Sequence, residues 1–203
     1  MTITNLLLRD DVSEEFELRS SFGFMAYHGG SLEKATDVIA REAAERSNSS
    51  YYGLIQTHDD PIHFASTQLI KEKSESLDRF LNHVTIVVTV HGYGREHLFH
   101  SVLLGGRNRE LAVHFAPVLQ AALPEYEFET SLEKIPRELR GQHHQNPVNY
   151  PPQKGVQLEL PPTLRWNREE WGWSDNGGIG RAKQVDQLIE ALVLGVNKWE
   201  ASS

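Results

Sequence analysis

The run Val84-Thr85-Ile86-Val87-Val88-Thr89-Val90 constrains the fold more than any other segment of this chain. A half-exposed strand alternates apolar and polar residues, and this one does not. Continuous β-branching reads instead as a strand covered on both faces, the habit of strands inside parallel sheets. Parallel neighbours need long crossovers, usually helices. The rest of the chain supplies them. Residues 22–27, 51–56, 62–66, 101–104 and 156–160 read as strands, with 125–130 at the sheet margin. Residues 32–46, with Ser31 as N-cap, then 75–81, 109–122 and 185–199 read as helices, although Pro117 would kink or end the third. Residues 137–154, with Pro147, Pro151 and Pro152, form a long irregular loop, and 165–178, with Trp166, Trp171 and Trp173, another. The alternation of strands and helices predicts an α/β three-layer sandwich around a mixed, largely parallel sheet.

A length of 203 residues is most simply one domain spanning 1–203. A formal charge of −8 argues against nucleic acid as a partner, and it obliges any anionic substrate to find a local cationic site. There is no cysteine, so disulfides and thiolate metal sites are excluded. No apolar run approaches the ~20 residues that span a bilayer. The start of the chain carries Leu6-Leu7-Leu8 without a basic segment, too little for a signal peptide. No membrane partner and a cytoplasmic location are therefore expected; oligomeric state is not legible.

Three short motifs carry the chemistry. Tyr27-His28-Gly29-Gly30-Ser31-Leu32-Glu33 follows the first strand, His91-Gly92 ends the β-branched one, and Glu159 lies in Gly155-Val156-Gln157-Leu158-Glu159-Leu160, with Arg165 just beyond. Sites in open α/β sheets gather beyond the carboxyl ends of strands, where all three motifs fall. Two His and a Glu can hold zinc with a coordination position open, and a second, unligated Glu can act on water. Each residue has a plainer explanation. Glu33 could complement a helix dipole, a lone strand-end His is commonly structural, and Glu159 could be a solvated strand residue. His58 and His63, around Asp59-Asp60-Pro61, could also bind metal, so spacing leaves the ligand choice open.

At these residues the chain resembles the poly-γ-glutamate hydrolase family of bacterial and phage proteins. The similarity runs from His28-Gly29-Gly30 and Glu33 through His63-Phe64-Ala65-Ser66-Thr67, His91-Gly92, Leu104-Gly105-Gly106 and Asn146-Pro147-Val148-Asn149 to residues 155–160 and Arg165. The resemblance implies a compact, zinc carboxypeptidase-like α/β fold. It implies zinc as cofactor, His28, Glu33 and His91 as its ligands, and Glu159 as the base. Arg107 and Arg165 stand where a cation would hold a substrate carboxylate, with Asn149 and His63 as further substrate-binding candidates. The expected activity is hydrolysis of amide bonds in a small acidic peptide or a polyglutamate-type substrate. Alternatives are a non-catalytic protein that binds an acidic ligand or partner, and an amidase for cell-wall peptides or N-acyl amino acids.

Overall fold

The β-branched run becomes the fourth strand of a seven-stranded sheet in the computed structural model, which describes residues 3–202. In chain order the elements are α1 (Ile3–Leu6), β1 (Val12–Glu17), β2 (Phe22–Gly30), α2 (Thr36–Arg46), β3 (Ser50–Gln56), α3 (Glu75–His83) and β4 (Ile86–Gly92). There follow β5 (Ser101–Leu104), α4 (Arg109–Ala122), β6 (Glu127–Glu129), β7 (Gly155–Leu160), α5 (Pro162–Arg165), the small hairpin β8 (Trp166–Asn167) and β9 (Gly172–Trp173), and α6 (Lys183–Glu200). The sheet order is β1-β3-β2-β4-β7-β5-β6. Pairings β2–β3, β2–β4, β4–β7 and β5–β6 are parallel, while β1–β3 and β5–β7 are antiparallel. The mixed, mostly parallel sheet is therefore as expected.

Both faces are covered. Phe22, Phe24, Ile86, Val88, Val90, Val156, Leu158 and Leu160 pack under α2, α4 and α6, whose Ile39, Phe115, Leu188 and Leu192 complete that core. On the other face Met25, Tyr27, Tyr52, Leu54 and Val87 meet Leu77 and Phe80 of α3 together with Phe64, Leu69 and Val148 from the connecting loops. Each Val or Leu fully withdrawn from water contributes about 1.5–3 kcal/mol. Side chains fix two of the helix starts: Ser74 accepts from the Leu77 N–H at α3, and Asn108 from the Leu111 N–H at α4. Helix α4 runs through Pro117 to Ala122. Among the described residues no helix is long and apolar enough to cross a membrane.

Four local expectations need correction. Strand β1 was not foreseen, because its charged, half-exposed sequence belongs to an edge strand. Residues 62–66 form no strand: the Gln56 side chain takes up both the N–H and the carbonyl of Ile62, and the chain then turns at Ser66–Gln68. Residues 165–178 contain the β8–β9 hairpin. Finally, the second helix begins at Thr36, not at residue 32, so Ser31 caps nothing. The intervening residues form a tight turn in which the Glu33 N–H donates to the His28 carbonyl (2.9 Å) and Thr36 returns to the Glu33 carbonyl.

That turn needs Gly30. Its φ is +72°, and a Cβ there would collide with the Gln56 carbonyl oxygen. Gly30→Ala is expected to lower unfolding free energy by about 1–3 kcal/mol, the range of one strained backbone residue, without changing the urea m-value. Equilibrium urea unfolding checks this.

Candidate metal centre

The sheet gathers its polar residues at one end of one face. Along β4, Val87, Thr89 and His91 share a face, and along β7 so do Gln157 and Glu159. The parallel register pairs Thr89 with Gln157 and His91 with Glu159. Strict alternation along β2 would send His28 to the opposite face with Phe22, Phe24 and Ala26. The β2–β3 register shifts between Ala26 and Gly29, and this irregularity delivers His28 beside His91, with ring centroids 5.0 Å apart.

Glu33 closes the cluster from the turn after β2. Its Oε1 lies 2.8 Å from His28 Nδ1, and its Oε2 lies 3.1 Å from His91 Nδ1 and 2.9 Å from the Gly92 N–H. Burial alone would raise its pKa, but charge on His28 and His91 and their hydrogen bonds outweigh it and hold the carboxyl well below the usual range. One ligand atom from each of the three residues lies within 4.8 Å of the other two. His28 Nε2 donates to the Phe64 carbonyl at 3.1 Å. A neutral His28 with that tautomer aims its Nδ1 lone pair at a carboxylate oxygen. Two acceptors so close require either another proton or a cation between them, and the carbonyl partner on the far nitrogen is the usual support of a metal-ligating histidine. The donor set of two imidazoles and a carboxylate fits zinc.

The triad opens on a cleft of about 930 Å³ that also holds His63 and Glu159. Glu159 is buried, and this raises its pKa to about 7; the Glu33 charge adds to the rise, while His91, the Gln157 hydrogen bond and Arg165 oppose it. The His63 ring lies 5.4 Å from that of His28, and its pKa is lowered, chiefly by burial and then by His28. His58 is not among the residues that line the cleft.

Three of the substrate-binding candidates stand elsewhere. Arg107 lines a separate pocket beside Arg109 and Trp199, with Nε donating to the Gln142 carbonyl. Asn149 spends its amide inside the protein: Oδ1 accepts from the Arg107 N–H, and Nδ2 donates to the carbonyls of Gly141 and His143. Arg165 is buried behind the centre. It donates to the Lys34 carbonyl (2.9 Å), lies over the Trp173 ring, and fills the space a side chain on Gly92 would need. Burial lowers its pKa to about 10, against the pull of Glu33 and Glu159. Arg165 thus ties the segment bearing Glu33 to the one bearing His91.

The cations that do line the cleft are Arg95, Arg137 and Arg140. Arg95 pairs with Glu138 at 2.6 Å, and Arg140 is held by the carbonyls of Ile135 and Glu133. Arg137 is exposed, and its side chain has no partner among the described residues. The signal for these was the pair Arg137 and Arg140 spaced three apart in a polar loop, which the overall negative charge obscures.

An α/β sheet carrying a buried His–Glu–His cluster and a second carboxylate at its strand ends has the makings of a metal-dependent hydrolase. The chain belongs to the poly-gamma-glutamate hydrolase family, whose family model matches residues 9–170. The fold is similar to that of a bacteriophage poly-gamma-glutamate hydrolase, with TM-score 0.82 and 19% identity over 98% of this chain and 95% of that one. It is also similar to YndL in a zinc-free apo form, with TM-score 0.80 and 19% identity over 97% of this chain and 95% of that one. A metallo-carboxypeptidase from Burkholderia cenocepacia shares the fold at TM-score 0.54 and 10% identity, over 98% of this chain and 67% of that one. Comparison with curated protein sequences finds no match.

The elevated Glu159 pKa has a sign that can be checked in metal-free protein. Between its ordinary 4.5 and about 7 the folded chain keeps a proton that the unfolded chain has released. Stability therefore falls as pH rises through that window and levels off above it. Glu33, with a depressed pKa, acts in the opposite sense and only as pH drops through its ordinary 4.5 and below. Urea unfolding in a chelator at pH 5 and pH 8 should show a smaller decline for Glu159→Gln than for the parent.

Proposed function

We propose that this protein hydrolyses the γ-amide bonds of poly-γ-glutamate, with zinc on His28, Glu33 and His91 and with Glu159 as general base. The observation that carries the reading is the meeting of that triad with a separate carboxylate, Glu159, on one cleft. Zinc, when bound, supplies a Lewis acid that polarises a carbonyl and makes water more acidic. Glu159 removes a proton from the attacking water. It then gives that proton to the leaving nitrogen as the C–N bond breaks and the new C–O bond remains on the acyl product. Its buried setting suits both tasks, since a carboxyl near neutrality accepts and returns a proton readily.

A γ-linked glutamyl chain carries a free α-carboxylate on every residue. Arg137 and Arg140 supply the local positive charge that such a chain requires against a net charge of −8, Arg95 being already paired with Glu138. Arg137 is the side chain best placed to exchange water for a substrate carboxylate, because it has no partner to give up. A guanidinium meets a carboxylate through two parallel hydrogen bonds.

Glu159→Gln should retain about one zinc per chain by elemental analysis and lose about 10²–10⁴-fold in kcat. His91→Ala should lose the zinc. Arg137→Ala should raise KM about tenfold at low salt with kcat little changed, the size of one charge-assisted contact. The substrate is tested by digesting γ-linked and α-linked polyglutamate with zinc-loaded protein and reading the products by mass spectrometry. Cleavage confined to the γ-linked chain is expected. Cleavage of acylated amino acids or cell-wall peptides, with neither polymer touched, would overturn the assignment.

A further inference from the structure

Two sequence features have no part in the mechanism so far, the segment Asn146-Pro147-Val148-Asn149 and the residue Gln157. Their side chains form a buried chain of hydrogen bonds that ends on the base. The Tyr27 hydroxyl donates to Asn146 Oδ1 (2.9 Å), Asn146 Nδ2 donates to Gln157 Oε1 (2.8 Å), and Gln157 Nε2 donates to Glu159 Oε1 (2.8 Å). All four residues are at most 4% exposed.

The direction of this chain is fixed by backbone groups that can play only one part. The Val148 N–H, which only donates, meets Asn146 Oδ1 at 3.2 Å. The Leu139 carbonyl, which only accepts, meets Gln157 Nε2 at 3.2 Å. Turning either amide over would set donor against donor or acceptor against acceptor. Burial raises the Tyr27 pKa, so the first donor keeps its proton. Room for the Gln157 amide comes from Gly141, whose φ is +61° and where a Cβ would stand 2.6 Å from Gln157 Oε1.

We infer that Gln157, oriented by Asn146, is a positioning residue for the base: it fixes Glu159 Oε1 and leaves Oε2 as the oxygen that meets water in the cleft. Oε2 has no protein donor among the described residues, and Glu159 lines the cleft. The same Gln157 nitrogen also donates to the Leu139 carbonyl, a second contact that keeps the amide facing the base. The inference rests on Glu159 being the base.

The test compares Gln157→Met, Gln157→Glu, Glu159→Gln and the double variant Gln157→Met/Glu159→Gln as zinc-loaded proteins on γ-linked polyglutamate. Gln157→Met should lose about 10–100-fold in kcat, the usual cost of removing a supporting hydrogen bond of this kind, with KM and zinc content unchanged. Gln157→Glu is nearly isosteric and keeps an acceptor for Asn146 but sets a second carboxyl beside Glu159, so a cooperative urea transition in each variant is the check on folding. It offers Glu159 no N–H and should lose at least as much kcat. The double variant should be no slower than Glu159→Gln alone, because Gln157 acts only through that carboxylate. Unchanged kcat in both Gln157 variants, or a full further loss in the double variant, would overturn the inference. Full activity in Glu159→Gln would instead overturn the assignment of the base.

Discussion

One carboxylate joins the parts of this molecule that matter. Glu33 reaches His28 on β2 and, at the end of β4, both His91 and the N–H of Gly92, so the ends of two strands meet on its two oxygens. Burying a carboxylate costs several kcal/mol unless it is paired, and here the Gly92 N–H donates to Oε2 while Oε1 faces His28 Nδ1 across the place a proton or a cation would occupy. The surrounding backbone serves that contact. Gly30 makes the turn, the Glu33 N–H closes it on the His28 carbonyl, and Arg165 clamps Lys34 against Gly92 from behind. A cation in the middle would exchange this set of hydrogen bonds for ligation without moving the chain far.

The two faces of the sheet divide the labour. Under α2, α4 and α6 the central strands present apolar side chains, and this face supplies stability. The other face is apolar near the start of the strands and polar near their ends, where Thr89, His91, Gln157 and Glu159 lie side by side. Within this polar layer Gln157 and Glu159 are bonded to each other, whereas Thr89 Oγ1 and His91 Nε2 are buried without a partner among the described residues. In the chain from Tyr27 to Glu159 the amides orient the base and also satisfy each other.

Much of this was legible in the residues. Continuous β-branching at 84–90 announced a doubly covered strand, and the placement of His28, His91 and Glu159 at strand ends pointed to a common site. The two-residue alternation in 155–160 put Glu159 opposite Val156, Leu158 and Leu160. It could not tell whether that opposite face was solvent or a buried polar layer, because the residues that cover it, Asn146 and Leu139, come from an irregular loop. The placement of the arginines was hidden for the same reason. Arg107 and Arg165 sit next to recognisable motifs, whereas Arg95, Arg137 and Arg140 lie in irregular connecting segments, where no periodicity says which way a side chain faces. The β2 irregularity at 26–29 was equally invisible, since it depends on how β3 pairs and not on the local sequence.

The strand order also dictates how the molecule must be put together. β7 lies between β4 and β5 although it is made after both, and residues 105–154 separate β5 from β7 in the chain. On a ribosome, the strands from β1 to β4 emerge first and carry His28, Glu33 and His91 with them. The last long strand then slides in to complete the sheet, bringing Glu159 with it. Such a late, long-range closure is slow compared with pairing of neighbours. The order of synthesis thus brings out the residues of the triad before the base and before Arg165, the side chain that braces them.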